Sequence, residues 1–406
     1  MKKGPDLLML HPGSNSAVYE ELEDKKLTAI QPPFTSAMMA GYVRGKGFNV
    51  EMLDANAEHL SYEKTADRVR DINPGIVGIV VDGHQPSASS QTMGAVGEVC
   101  RQIKGTSGIP IVLSGVHPSS IPERTLREEE IDFVARGEEA QTLLGLVDGG
   151  LRSKRFRDIP GLCYLDSDVF MRNKSAPLAK SLDETFPEVA WDLLPKLDNY
   201  RSHNWHASFG DMEDRQPYGA LYSSLGCPYK CSFCMINGGF KASIADNENG
   251  GTGTKEENND PMKLLDLLDK TNPKIRYWNS DNVIKHIDYF VESGVKYIRI
   301  LDEMFVFKRK HVIDICDKID ERGYSDDINM WAYARVDTVK DDRLLDRMKN
   351  SGINWLCIGI ESANEEVRHG VESKGFGNDD IYTNIQRVHN AGIDIIGNYM
   401  VGLRSD

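Results

Sequence analysis

The feature that most constrains the fold is an alternation of short apolar runs with longer amphipathic stretches, which starts near residue 7. Up to residue 150 the apolar runs predict five strands, at residues 7–10, 49–53, 76–81, 111–113 and 133–135. Helical patterns separate them, which is typical of a parallel sheet covered by helices on both faces. We therefore predict an α/β protein whose residues 1–150 form a Rossmann-like, doubly wound parallel sheet.

A second alternation of the same kind runs from residue 218 to the last residues of the chain. The predicted strands lie at residues 218–223, 296–301, 329–333, 355–360 and 395–401. Repeated βα units predict a TIM-like barrel with its functional groups at the carboxyl ends of the strands. Because the sequence stops after the fifth strand, we expect a partial barrel over residues 218–406. Either the chain is a fragment, or another chain or subunit completes the barrel.

The segment between these regions, residues 151–217, is interrupted by prolines and short apolar anchors. We predict a connector strap that packs across both domains, with a small hairpin at 161–164 and 169–171. His203 and His206 are separated by only three positions, and we assign them to a polar surface loop rather than to a metal site. A Gly-, Asn- and Glu-rich tract at 247–259 is too polar to pack and predicts a lid or a disordered loop.

Composition limits the partners and the compartment. The net charge of −14 over 406 residues argues against nucleic acid as a partner, because phosphate binding needs a basic surface. The sequence contains no apolar run long enough for a membrane span. Seven cysteines without a paired pattern favour a reducing compartment. We therefore expect a cytoplasmic protein.

Three of the seven cysteines lie in one short run, Gly-Cys-Pro-Tyr-Lys-Cys-Ser-Phe-Cys, as Cys227, Cys231 and Cys234. Iron-sulfur clusters usually have four thiolate ligands, so a cluster held by three keeps one iron open to another ligand. The competing interpretation is a structural zinc site, which normally needs four ligands in paired sets. No second pair occurs near this run, and the spacing therefore favours a cluster.

The C-x3-C-x2-C spacing, with the aromatic Phe233 before the last cysteine, resembles the signature of the radical S-adenosylmethionine (SAM) enzymes. The resemblance implies a [4Fe-4S] cluster on the three cysteines and SAM on its open iron. It also implies that SAM contacts residues at strand ends: Asp302 and Glu303 at its amino group, Arg335 and Glu361 at its carboxylate or ribose, and Asn398 near its adenosine. Carboxylates and an arginine fork suit a zwitterionic ligand.

The first domain resembles the cobalamin-binding domain that precedes the radical SAM core in a large subgroup of these enzymes. The loops after its strands carry the resemblance, and it implies cobalamin contacts from Pro12, Ser87, Ser114, Gly115, His117, Gly137 and Glu138. The D-x-H-x-x-G motif of many cobalamin proteins is missing from the first loop, so we expect no histidine on the lower face of the cobalt. The alternative is a flavodoxin-like sheet without a cofactor.

These resemblances imply a class B type radical SAM methyltransferase, which methylates an unactivated carbon of a small-molecule substrate with the help of cobalamin. A reductant protein such as flavodoxin or ferredoxin is the expected electron donor. Two alternatives remain open at this point. One is a cyclisation or rearrangement without methylation, and the other is a non-catalytic fragment that binds a cluster or cobalamin.

Overall fold

The computed structural model describes residues 4–13, 27–83, 86–208, 211, 213–236, 274–371 and 376–403. Two parallel sheets, each with helices beside it, follow one another along the chain. The predicted lid at 247–259 lies outside the described residues. The domain limits at 150 and 217 stay predictions.

The first sheet contains seven strands in the order β2-β1-β3-β4-β5-β6-β7. They are β1 (Leu7–His11), β2 (Val50–Asp54), β3 (Val77–Val81), β4 (Ile111–Gly115), β5 (Phe133–Ala135), β6 (Leu162–Asp166) and β7 (Val169–Arg172). The first five strands are parallel, as the sequence predicts. The last two are the predicted hairpin, which pairs antiparallel with β5 and so extends this sheet. The exposed edge of β5 explains the addition, because an unpaired edge leaves backbone groups without partners.

The helices of the first part begin with α1 (Phe34–Gly45), α2 (Tyr62–Ile72), α3 (Met93–Thr106), α4 (Val116–Ser120), α5 (Pro122–Glu128), α6 (Ala140–Gly145), α7 (Leu151–Ser153) and α8 (Leu182–Thr185). Successive side chains of β1 point to opposite faces of the sheet. Leu7 and Met9 pack in the core that contains Phe34, whereas Leu8 and Leu10 pack in a second core. Burial on both faces explains why these strands are almost uninterrupted apolar runs.

The second sheet contains five parallel strands in the order β14-β13-β12-β11-β8. They are β8 (Tyr218–Leu221), β11 (Tyr297–Ile300), β12 (Asn329–Arg335), β13 (Ile353–Glu361) and β14 (Asp394–Tyr399). Two short strands, β9 (Ser224–Leu225) and β10 (Arg276–Tyr277), form an antiparallel pair beside β8. The helices are α9 (Ser280–Glu292), α10 (Arg309–Arg322), α11 (Asp342–Asn350), α12 (Glu365–Val371) and α13 (Asn378–Asn390). Sequential strand order with helices between the strands confirms the predicted partial barrel.

The segment between the sheets contacts both of them. Tyr200 donates a hydrogen bond to Asp54 of β2 over 2.9 Å. Trp191 donates one to His286 of α9 over 3.1 Å, and its ring packs against Phe34 of α1. These contacts hold the carboxyl ends of the two sheets on either side of a shared crevice. None of the described helices is long and apolar enough to cross a membrane.

The prediction that His203 and His206 lie in a polar surface loop is wrong for this segment. His206 is fully buried, and its ring contacts the carbonyl oxygen of Asn329 at 3.0 Å. Trp205 packs against Trp331 and Trp355 at the same end of the barrel. Aromatic rings here fill the amino-terminal end of the barrel. The polar residues of this segment give no sign of that packing.

Candidate active site

The cysteine loop follows β8 at the carboxyl edge of the second sheet. Gly226 has a φ of 98°, a left-handed conformation that suits glycine and turns the chain into the loop. Cys227 is buried, and Cys231 and Cys234 are partly exposed. Cys227 and Cys234 pack in one small cluster with Ile236 and Met304. The loop therefore presents its thiols at the carboxyl edge of the barrel.

The three cysteines of this loop are the residues that would hold an iron-sulfur cluster. None of them forms a disulfide, and the chain's other four cysteines are buried elsewhere, at Cys100, Cys163, Cys316 and Cys357. Within the residues that the structure describes, no three side chains converge on one point where a single metal ion would sit. The thiolates of a [4Fe-4S] cluster bind different iron atoms, so they need not converge. Burial raises the pKa of Cys227 to about 12, and cluster binding has to displace that proton.

Arg335, at the end of β12, stacks on the cysteine loop. Its guanidinium carbon lies 3.5 Å from the ring centroid of Tyr229, and its Nε donates to Asp337 over 3.0 Å. Only 6 % of Arg335 is exposed, and the hydrogen bond from its side chain to Asp337 helps to raise its pKa against the opposing effect of burial. A fixed guanidinium beside the thiols suits a carboxylate ligand at this place.

Asp302 and Glu303 follow β11 and have different surroundings. Asp302 is fully buried and accepts hydrogen bonds of 2.6 Å from the backbone of Ser223 and from the hydroxyls of Ser223 and Ser224. Glu303 faces the crevice between the two sheets, and its Oε2 is buried without a hydrogen-bond partner among the described residues. Burial raises its pKa to about 8, although hydrogen bonds from its own backbone and from Gly226 oppose this shift.

Glu361 and Asn398 complete the row of strand ends. Glu361 is buried, and its φ of 68° is a left-handed conformation that non-glycine residues rarely adopt. The register between β13 and β14 shifts at this residue. Strained residues of this kind often occur at functional sites, because the strain aims a side chain. Asn398 lies on β14 opposite Gly359 and is partly exposed. Phe233 is 37 % exposed, so the cysteine loop reaches the protein surface.

An open cavity lies between the barrel edge and the first sheet. Gly115 and Gly137 line it from the carboxyl ends of β4 and β5, and Ile236 and Glu303 line it from the barrel. A second open cavity continues past Pro12 and the end of β1. The two cavities share Thr35, Asp82 and Tyr222. The resulting crevice suits a large planar ligand with polar arms.

The two adjacent glutamates after β5 differ in their partners. Glu138 accepts a hydrogen bond from the backbone of Ala179 and forms a 2.8 Å ion pair with Arg276 of β10. Glu139 lines the same cavity with 8 % exposure, and its carboxyl has no hydrogen-bond partner from another described residue. Burial raises the pKa of Glu139 to about 8, and burial also raises that of Asp82. At neutral pH the Glu139 carboxyl therefore keeps a proton that the amide oxygen of a ligand can accept.

Two other residues predicted to contact cobalamin, His117 and Ser114, do not line the cavity. His117 lies at a 2.7 Å hydrogen-bond distance from Ser90, and Ser114 is buried within β4. Nothing is described of the side chain of Ser87. Ser119 lines the cavity where Ser114 does not, and its hydroxyl accepts a 3.2 Å hydrogen bond from the backbone of Gly137.

Sequence reasoning missed several residues of the site. Tyr229 lies inside the cysteine motif, so its position between two cysteines was an available signal. Glu139 follows Glu138, which was among the predicted cobalamin contacts. The two glutamates differ only in the folded protein, where Glu138 pairs with Arg276. Ser223 and Ser224 precede the motif by a few residues, and no sequence pattern connects them to Asp302.

Two family models match the chain. The B12 binding domain matches residues 25–147, and the radical SAM superfamily matches residues 221–406. The first match covers β2 to β5 of the first sheet and includes Gly115 and Gly137, which line the crevice. The second match begins at the end of β8 and includes the three cysteines. Both assignments agree with the predicted resemblances.

Individual relatives agree with this two-part architecture. An uncharacterized methyltransferase of Pyrococcus horikoshii is 26 % identical over 98 % of this chain and 74 % of its own length. An anaerobic magnesium-protoporphyrin IX monomethyl ester cyclase of Cereibacter sphaeroides is 23 % identical over 88 % of this chain, which spans half of that relative. The solved structure of OxsB, a cobalamin-dependent SAM radical enzyme with aqua-cobalamin bound, has the same fold. It gives a TM-score of 0.69 at 17 % identity over 98 % of this chain and 49 % of that one.

A radical SAM domain uses a [4Fe-4S] cluster and SAM, and a B12 binding domain binds cobalamin, which agrees with the cysteine loop and with the open crevice beside it. The chain therefore combines a B12 binding domain with a radical SAM domain.

Proposed function

We propose that this enzyme transfers a methyl group to an unactivated carbon of a small-molecule substrate. One observation carries the proposal: the carboxyl edge of the B12-binding sheet lines the same cavity as Leu225 and Ile236, which flank the cysteine loop, and Glu303 of the barrel edge. A methyl donor and a radical-generating centre on opposite walls of one cavity can act on one substrate carbon. Similarity to the Pyrococcus horikoshii methyltransferase over almost the whole chain supports this reaction class.

The residues of the barrel edge have separate tasks in this proposal. Cys227, Cys231 and Cys234 hold the cluster. Arg335 binds the carboxylate of SAM, because its fork is already oriented by Asp337 and Tyr229. Glu303 accepts the SAM amino group, since its buried Oε2 has no other partner among the described residues. Glu361 and Asn398 contact the ribose and the adenosine from the next two strand ends.

The first sheet positions the second cofactor. Gly115 and Gly137 let a planar ring approach the backbone, and Glu139 receives a polar arm of that ring. When bound, the cluster with SAM supplies radical chemistry, and cobalamin supplies the methyl group. The protein orients these groups and excludes water and oxygen from the cavity.

Anaerobic reconstitution tests the proposal directly. Purified protein is incubated with iron and sulfide, reduced, and supplied with SAM and hydroxocobalamin. The expected results are a [4Fe-4S] spectrum, 5′-deoxyadenosine in the mixture, and cobalt that remains bound after desalting. A missing cluster or missing 5′-deoxyadenosine refutes the catalytic assignment. Cobalt that washes away refutes the role of the first sheet.

Cyclisation without methylation is the second candidate, and the similarity to the cyclase of Cereibacter sphaeroides favours it. Product mass separates the two reactions once a substrate is found. A gain of one methylene unit supports methyl transfer, whereas a loss of hydrogen at constant carbon number supports cyclisation.

We also propose a small reductant protein, flavodoxin or ferredoxin, as the electron source. The partial exposure of Phe233 and Cys234 supports a short path from the surface to the cluster. Each candidate reductant is added in place of the chemical reductant, and 5′-deoxyadenosine is measured. A reductant that gives no product over background is excluded.

A further inference from the structure

The strongest hydrogen-bond network outside the cofactor contacts joins the end of β8 to the end of β11. The buried carboxylate of Asp302 receives three hydrogen bonds of 2.6 Å, two from Ser223 and one from Ser224. His311 of α10 lies 2.9 Å from the Ser223 hydroxyl through its Nε2. All four residues are buried.

The directions of these bonds follow from the chemistry of the groups. The Ser223 hydroxyl donates its only proton to Asp302, so it must accept from His311. His311 is therefore protonated at Nε2. Burial lowers the pKa of His311 to about 4, and the ring is neutral with its other nitrogen unprotonated. The chain of donors runs from His311 through Ser223 to Asp302.

Asp302 and Glu303 act on the same stretch of backbone from two sides. Both follow the end of β11, and their side chains contact different residues of that stretch. Asp302 holds Ser223 and Ser224, and Glu303 receives a backbone hydrogen bond from Gly226. The first cysteine, Cys227, follows immediately. The two carboxyls therefore hold both ends of the four-residue segment that leads into the cysteine loop.

We propose that Asp302 is a positioning residue, which fixes the entry of the cysteine loop through Ser223 and Ser224 and thereby aims Glu303 at the cavity. In this role Asp302 does not contact SAM. The inference rests on the proposed function, because in that function the cysteine loop holds the cluster and Glu303 receives the SAM amino group.

Hydrogen exchange of the cluster-free protein tests the positioning role without any cofactor. Asp302→Asn replaces one acceptor oxygen by a donor, so the two hydroxyls lose their shared acceptor. We expect exchange at the Ser223 and Ser224 amides to become at least about tenfold faster. Ser224→Ala should give a smaller increase, because it removes one of the three bonds. The matched control is Asp314→Asn on the outside of α10, where the carboxylate pairs with Lys310, and it should leave this exchange unchanged.

The reconstituted variants give a second readout. In the wild-type protein, SAM binding should change the electron paramagnetic resonance signal of the reduced cluster. Asp302→Asn should keep most of its cluster but lose this change, and the rate of 5′-deoxyadenosine formation should fall by about 100-fold, as expected for a small misplacement of reacting groups. Ser223→Ala should reproduce part of the effect, although Ser223 has no contact with SAM in this proposal.

The outcomes separate the two levels of inference. If Asp302→Asn weakens SAM binding but leaves the exchange of the loop amides at the wild-type rate, Asp302 is a SAM ligand and the positioning role is refuted. If Asp302→Asn does not fold, the two serine variants decide, and wild-type exchange and spectra in both would refute the role. A wild-type protein that makes no 5′-deoxyadenosine contradicts the proposed function alone, since the exchange measurement still reports on the loop.

Discussion

The two walls of the crevice differ in how completely their charged groups are paired before any cofactor binds. On the barrel wall, Asp302 has three donors, and Arg335 has both Asp337 and the ring of Tyr229. On the wall formed by the first sheet, Asp82 and Glu139 are buried carboxyls with raised pKa values. Each wall has an exception, since Glu303 on the barrel has an Oε2 without a partner among the described residues and Glu138 on the first sheet is paired with Arg276. Otherwise the barrel wall is built in advance, whereas Glu139 on the opposite wall gains polar partners when a ligand arrives.

This difference predicts independent behaviour of the two walls. A preorganised wall holds its reacting groups at fixed positions, which is what radical chemistry requires. A buried carboxyl without an ionic partner in the described part of the chain, such as Glu139, costs stability in the empty state, and a ligand that supplies hydrogen bonds restores it. Variants on one wall should therefore leave the other cofactor in place.

The largest effect is expected from the cysteines. Cys227→Ala, Cys231→Ala and Cys234→Ala should each abolish the [4Fe-4S] spectrum and 5′-deoxyadenosine formation, because a cluster cannot lose one of only three protein ligands. Cobalamin retention, measured by absorbance after desalting, should stay at the wild-type level. Cys316→Ala, on the buried face of α10, is the control and should keep the cluster. Loss of cobalamin together with the cluster would contradict the independence of the walls.

Arg335→Lys should have the next largest effect. Lysine keeps the positive charge but loses the fork to Asp337 and the stack on Tyr229. We expect SAM to bind about 10- to 100-fold more weakly, by equilibrium dialysis of the reconstituted protein. Arg309→Lys is the matched control, since Arg309 also pairs with an aspartate, Asp341, but on the exposed surface. Equal SAM affinity in both variants would remove Arg335 from the site.

Glu138→Gln tests the ion pair between Glu138 and Arg276, which links the two walls. It breaks the ion pair with Arg276, whose two side chains are only 9 % and 15 % exposed, and leaves the Arg276 charge without its carboxylate. The free energy of unfolding should fall by about 3 kcal/mol, measured by denaturant titration. The control Glu128→Gln breaks an exposed pair with Arg124 and should cost at most about 0.5 kcal/mol. Similar losses in the two variants would show that the link contributes little.

The smallest effect concerns the pH dependence of stability. The folded pKa of Glu139 is about 8 against an ordinary value of 4.5, so the folded protein binds more protons than the unfolded chain between these values. Stability of the cofactor-free protein should therefore fall as pH rises from about 5 to about 8. In Glu139→Gln, the decrease in the free energy of unfolding over this pH range should be smaller by about 1 kcal/mol or more, measured by thermal unfolding.

Added cobalamin sharpens the same measurement. A bound ligand that accepts the Glu139 proton stabilises the protonated carboxyl, so the fall in stability of the loaded wild-type protein should extend to higher pH than that of the empty protein. Glu128→Gln is again the control, because an exposed carboxyl has little influence on this pH dependence. A fall over the same pH range after loading would mean that Glu139 does not meet the ligand.

Contiguous motifs were readable from the sequence, and groupings across the fold were not. The spacing of Cys227, Cys231 and Cys234 predicts a cluster ligand set because all three lie in one loop. The strand ends at Arg335 and Glu361 were identified because the βα repeat fixes which residues reach the carboxyl edge. The hairpin at β6 and β7 was also found, but its pairing with β5 depends on which edge is free after the sheet forms.

Two neighbouring pairs of carboxyls mark the limit of the sequence. The sequence alone placed Asp302, Glu303 and Glu138 at strand ends, and it determined the cysteine loop and the two sheets. Only the tertiary structure decided that Asp302 holds Ser223 and Ser224, that Glu138 holds Arg276, and that Glu303 and Glu139 line the cavity without an ionic partner among the described residues. The reason is physical: the partners of Asp302 and Glu138 come from residues about 80 and about 140 positions away, which only the folded chain brings together.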